Sequence, residues 1–204
     1  AMVLPVLLLG NPRAMPQLML DDSNPDHTAR DAKRSAAARM WLARLLVQIA
    51  EAALFAYLLI WFTSIDPSFT DSDTARVFSL VLALSVPLAM LAGRWSDRRE
   101  RPILPLVLGS ALGAVGLLIM ALSDSLGGAI AGYVVFGLSS GVFLALHTSQ
   151  TLRVLPRPSR RGRDLGIFNL TNTVPSMIMP WLTLALVPVF GFSALFSALA
   201  ALVA

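Results

Sequence analysis

Six stretches of apolar residues divide the chain, each bounded by charged or turn-forming residues. They run approximately from Trp41 to Phe62, Ala75 to Ala92, Ile103 to Leu122, Gly127 to Thr148, Leu165 to Val187 and Val189 to Ala204. Crossing about 30 Å of hydrocarbon at 1.5 Å per residue takes roughly 20 apolar residues, so each stretch predicts a membrane span. A lone segment in lipid must satisfy its own backbone hydrogen bonds, which selects helix. The strict polar and apolar alternation of a membrane β-strand occurs in none of them. The expected fold is therefore all-α, an integral membrane six-helix bundle over residues 41–204. Ala1 to Gly10 is too short to span and reads as the end of a preceding transmembrane helix, with a cleaved signal peptide as the alternative. Asn11 to Met40 mixes Pro, Asp, Asn, Ser and Arg with almost no large apolar residue after Leu20. It predicts a linker, within which Thr28 to Met40 can form a helix lying on the headgroups.

Composition narrows the class. Of 204 residues, 56% are hydrophobic and 14% charged, too few charges to cover a water-facing surface. The absence of cysteine rules out a disulfide framework and thiolate chemistry. His27 and His147 are too few and too far apart for a zinc site, so no metal and no cofactor is expected. The positive net charge does not imply a nucleic-acid partner, because the basic residues sit in short clusters between apolar runs. Those clusters set orientation instead. Arg13, Arg30, Lys33, Arg34, Arg39 and Arg44, then Arg94, Arg98, Arg99 and Arg101, then Arg153, Arg157, Arg160, Arg161 and Arg163 all fall on one side of the six crossings, and Arg76 alone on the other. Positively charged loops stay in the cytoplasm, so the linker and both ends of the chain are expected there, in a multi-pass inner or plasma membrane.

The string Gly93-Arg94-Trp95-Ser96-Asp97-Arg98-Arg99-Glu100-Arg101-Pro102 closes the second stretch and opens the third. Gly93 permits a close approach or a left-handed helix end, Pro102 suits a first helical turn, and Asp97 can bond helix N-terminal amides while Arg98 pairs with a carboxylate. The plain alternative is an ordinary basic loop. A second string runs from Gly141 through His147 to Val154-Leu155-Pro156, then Asp164-Leu165-Gly166-Ile167-Phe168-Asn169 to Val174-Pro175 and Pro180. The first string, in Gly93, Asp97, Arg98 and Arg101, resembles the loop signature of the major facilitator superfamily. The second is similar to its sucrose and glycoside-type sugar transporters. The resemblance implies the C-terminal half of a twelve-helix fold, from the end of helix six into helix twelve, with the preceding six-helix half of the same polypeptide as its missing partner. It also implies a gating role for Gly93, Asp97, Arg98 and Arg101, and transport of a small solute by alternating access.

Polar residues at membrane depth are the candidates for a solute or proton path. Asn169, Asn172, Thr173 and Ser176 recur at i, i+3, i+4 and i+7, so they share one helical face. They are either a cavity lining or interhelical glue. Glu51 lies ten residues into a helix starting near Trp41, about 15 Å deep, where a carboxylate is costly and functional by default. Arg44, Gln48 and Glu51 share a face, making Gln48 the expected local partner of Glu51, with Arg44 free to snorkel towards the headgroups. His147 and Gln150 lie one turn apart, as proton-path residues or as structural hydrogen bonds. The spacings Gly109 and Gly113, and Gly128, Gly132, Gly137 and Gly141, read more simply as helix packing. The expected activity is secondary transport of a small-molecule substrate, with Glu51 binding a coupling proton or a polar substrate group, and for sugars on the resemblance, with a drug or metabolite exporter as the alternative. A scaffold or intramembrane enzyme is the rival class. The spans lack the clustered nucleophile, metal ligands or paired carboxylates an enzyme needs.

Overall fold

A computed structural model describes the backbone of residues 27–99, 103–154 and 161–204, and side chains over 38–99, 103–149, 166 and 169–204. Among these residues there are helices and short connections and no strand. The helices are α1 (His27–Ile65), α2 (Asp71–Arg99), α3 (Leu104–Leu122), α4 (Leu126–Val154) and α5 (Arg161–Val203). Each is long and apolar enough to cross a membrane. The expected preceding helix over 1–10 and most of the linker lie outside the described residues.

α1 contains neither Gly nor Pro and is rich in Ala, Leu and Arg, residues that lose little on entering a helix. That composition carries the helix back to His27, so the helix that the sequence allowed over Thr28 to Met40 is present and runs on into the span. Pro67 disfavours helix at Asp66 and stops α1. Asp66 then accepts hydrogen bonds from the Ser68 amide at 2.9 Å and hydroxyl at 2.7 Å, closing an Asx turn. α2 starts on a reciprocal cap: the Thr70 amide and hydroxyl donate to Asp73 Oδ2 at 3.1 and 2.6 Å, and the Asp73 amide donates back to Thr70 Oγ1 at 3.3 Å.

α5 is 43 residues long, about 65 Å if straight and twice what a crossing needs. It is broken at Gly191, whose φ of 75° and ψ of −178° are open only to glycine. The neighbours at each end give the direction of the two legs. Thr171 meets Arg44 near the end of the bundle that carries the basic residues, and Phe196 packs edge-on against Trp61, ring centroids 4.5 Å apart, near the opposite end. Val203 then lies 3.6 Å from a Cβ built on Gly113, halfway along α3. A chain continuing outward past Phe196 could not return to that depth, so it turns back at Gly191 into legs 161–190 and 192–203. The turn comes three residues after Pro188, where the sequence had divided the two stretches, because Pro is compatible with a helix end but cannot adopt a positive φ.

α4 packs against α1, α2 and α3, and α5 lies against α1 and α3. With no water to expel between helices in lipid, close contact of small residues holds them. At the closest point, a Cβ on Gly116 of α3 would lie 2.6 Å from the Phe136 amide nitrogen and 2.8 Å from the Gly132 carbonyl oxygen of α4. α2 turns Leu80, Leu82, Leu84, Val86, Leu88, Met90 and Leu91 outward, a surface suited to acyl chains.

Candidate functional site

A polar network joins α1, α4 and α5 on one side of the bundle. On α1, the Arg44 guanidinium donates from Nε to Thr171 Oγ1 at 3.1 Å, from Nη1 to Thr148 Oγ1 at 3.0 Å and from Nη2 to Asn172 Oδ1 at 3.5 Å. One turn further in, Gln48 Nε2 donates to the same Asn172 Oδ1 at 2.9 Å, and Asn172 Nδ2 donates to Asn169 Oδ1 at 2.8 Å. Thr171 is fully buried, whereas Asn169, Asn172, Thr173 and Ser176 are exposed on the face of the bundle beside it. Ser176 is seven residues past Asn169, about 10 Å further into the apolar span that begins there.

Glu51 continues the same face of α1. It is half-buried, and the Ser140 hydroxyl of α4 donates to its Oε1 at 2.8 Å. The sequence had paired Glu51 with Gln48. In the structure Gln48 reaches across to α5 and Glu51 to α4. Ser140 Oγ also lies 3.2 Å from the Gly137 carbonyl oxygen. A hydroxyl has one proton and two lone pairs, so this arrangement serves either form of Glu51. With the carboxylate, Ser140 donates to Glu51. With the protonated acid, Glu51 donates to Ser140, which donates to Gly137.

Arg44 does not snorkel to the headgroups, because three polar side chains from two other helices hold its fork in place. Thr148, Thr171 and Ser140 were missed as site residues. Ser140 sat in a small-residue run read as packing, and Thr171 falls between the two asparagines on a face that points inward. His147 is fully buried on α4, its Nε2 2.8 Å from the Met40 carbonyl oxygen and its ring against Phe143. It adjoins Thr148, which receives Arg44, but its own ring is enclosed. Gln150 is on α4, with its side chain outside the described residues. Gly93, Asp97 and Arg98 belong to the last two turns of α2, not to a loop. Gly93 has helical geometry and a Cβ there would meet Leu146 of α4 at 3.4 Å, while Asp97 and Arg98 are exposed. Arg101 and Pro102 lie outside the described residues. No group of three or more His, Asp or Glu side chains among the described residues could hold a metal ion.

A carboxylate, three amides and a guanidinium are thus gathered on one side of a bundle of membrane-crossing helices. The family model of the Major Facilitator Superfamily matches residues 40–204. The chain belongs to the major facilitator superfamily. It is a multi-pass membrane transporter, and the match begins at Met40, within α1, and runs through the remainder of α1 and the helices that follow. No individual curated protein matches it.

Proposed function

We propose that this bundle is one wall of a solute path in a secondary active transporter, the C-terminal half of a twelve-helix facilitator that rocks against a second six-helix bundle. The observation that carries this reading is the exposure of Asn169, Asn172, Thr173 and Ser176 beside Gln48 and Glu51 at membrane depth. Facing acyl chains, an acidic side chain at a helix centre costs about 3 kcal/mol, so this face belongs against water or another bundle. Sites between two such bundles sit near the midplane, where Glu51 lies. The amides and hydroxyls along the face pair well with a polar, hydroxyl-bearing solute, a sugar that carries an anionic group among them. Glu51 is the coupling site: its hydrogen bonds to Ser140 and onward to Gly137 are satisfied with or without a proton. Asp97 and Arg98, exposed at the end of α2, act in gating between the bundles. The basic loops face the cytoplasm.

In the full-length protein, Glu51→Gln keeps size and hydrogen bonding but cannot titrate. Accumulation of solute driven by an imposed pH gradient should disappear in proteoliposomes while solute exchange survives. Accumulation with unchanged pH dependence removes Glu51 from coupling.

A further inference from the structure

The guanidinium of Arg44 is placed where a solute would pass, and among the described residues no carboxylate stands within ion-pair distance of it, the negative group that acts on it being Glu51, two turns further along the same helix. Among the described residues the ion pair present is Arg76 with Asp73, at the opposite end of the span region. The oxygens that receive Arg44, from Thr148, Thr171 and Asn172, are all neutral. Removing a cation from bulk water is costly unless a charge or strong dipoles compensate, and three neutral acceptors compensate only in part. The three bonds use three of the five N–H groups of the fork and fix its orientation, leaving two N–H donors. Such a fork matches two oxygens of a carboxylate or phosphate, and a held fork loses little entropy on binding them.

Position adds the rest. Arg44 lies near the end of the bundle that carries the basic residues, and Glu51 is seven residues further in, about 10 Å along the helix. Gln48 lies between them on the same face, and its Nε2 bond to Asn172 ties the path between the two charged groups to α5. A solute whose anionic group docks on Arg44 extends past Gln48 towards Glu51.

On the reading of the chain as a transporter, we propose that its substrate is an organic anion, and that Arg44 binds the carboxylate or phosphate of that solute. The phosphate of a lipid headgroup offers the same chemistry at this depth, and charge selectivity of transport separates the two.

The test reconstitutes the full-length protein in liposomes and offers an equimolar mixture of lactate, succinate, glucose 6-phosphate, glucose, uridine and choline, with the internal contents read by mass spectrometry. One or more of the three anions should enter faster than into protein-free liposomes, and the neutral and cationic probes should not. Arg44→Gln should raise the KM for that anion about tenfold or more, the loss expected for a charged hydrogen bond, while Arg44→Lys recovers part of it. Arg76→Gln, which removes an equal charge elsewhere, should change nothing. Uptake of glucose, uridine or choline in preference to the anions overturns the proposal and leaves the transporter reading standing. Anion uptake unaltered in both Arg44 variants also overturns it. If Arg44→Gln does not fold, the charge selectivity of the unaltered protein and the KM of Arg44→Lys still decide. Entry of none of the six probes by folded protein counts against the transporter reading itself, and the proposal falls with it.

Discussion

Replacing Gly116 with alanine should loosen the bundle at its tightest point. The new Cβ would stand 2.6 Å from the Phe136 amide nitrogen, 2.8 Å from the Gly132 carbonyl oxygen and 3.0 Å from the Phe136 Cα. All three are backbone atoms, so no side chain can rotate away. Restoring ordinary contact near 3.5 Å requires α3 and α4 to separate locally by close to an ångström, and a gap of that size forfeits a quarter to a half of each dispersion contact along the seam. Overpacking of this kind costs about 1–3 kcal/mol, against which the better helix propensity of alanine returns less than 1 kcal/mol. Unfolding of the purified protein in mixed micelles, followed by far-ultraviolet circular dichroism as sodium dodecyl sulfate is titrated, should show the loss as an earlier midpoint. Gly127→Ala is the matched control, since nothing lies within 4 Å of a Cβ built there. Gly132→Ala meets the Gly116 carbonyl oxygen at 2.8 Å, so the double variant should cost less than the sum of the two, the helices having already parted. A Gly116→Ala midpoint equal to that of Gly127→Ala would refute the claim that backbone contact holds α3 to α4.

The hydroxyl of Thr183 is buried without a hydrogen-bond partner, so Thr183→Val, nearly the same shape, should stabilise the protein by about 1 kcal/mol in the same titration, and a destabilised variant would show that the hydroxyl is satisfied after all. In the connection between α1 and α2, the Ser68 hydroxyl, and then its amide, hold the Asp66 carboxyl below the usual aspartate range. A depressed folded value means that this turn is at full strength above the ordinary aspartate pKa and weakens as pH falls through the lower one. Hydrogen exchange at the Ser68 amide should therefore quicken only in that acid window, and Asp66→Asn should abolish the pH dependence. Single cysteines at the exposed positions Ser72 and Asp124 should react with an impermeant thiol reagent from outside intact cells, and one at Arg98 should not. The opposite pattern would reverse the orientation inferred from the basic loops.

The fold class was legible because it rests on run length, which the bilayer imposes. Glu51 was legible for a related reason: counting residues from a charged boundary gives depth directly. Its partners were not legible, because no spacing on one helix tells which serine of another helix will stand opposite, and Ser140 is one of several small residues on α4. Arg44 shows the limit more sharply. A basic residue near a span boundary reads as a snorkelling side chain unless the oxygens of Thr148 and Thr171, more than a hundred positions away, are known to converge on it. The turn at Gly191 was misplaced by three residues, since Pro188 and Gly191 both punctuate the run and only the sign of φ distinguishes them.

That turn bears on how the protein is made. Most neighbouring spans are joined by a loop whose charges can be read as each helix emerges, but the legs of α5 meet at a single residue with no charge on either side from Leu165 to Ala204. The connection between the legs brings no charge signal of its own. The direction of the second leg is imposed by the first, whose basic entrance at Arg160, Arg161 and Arg163 fixes both, so the pair should enter the bilayer as one hairpin. A larger residue at Gly191 would then appear first as a fault of membrane insertion, with the second leg left on the wrong side or degraded, before any effect on solute binding could be measured.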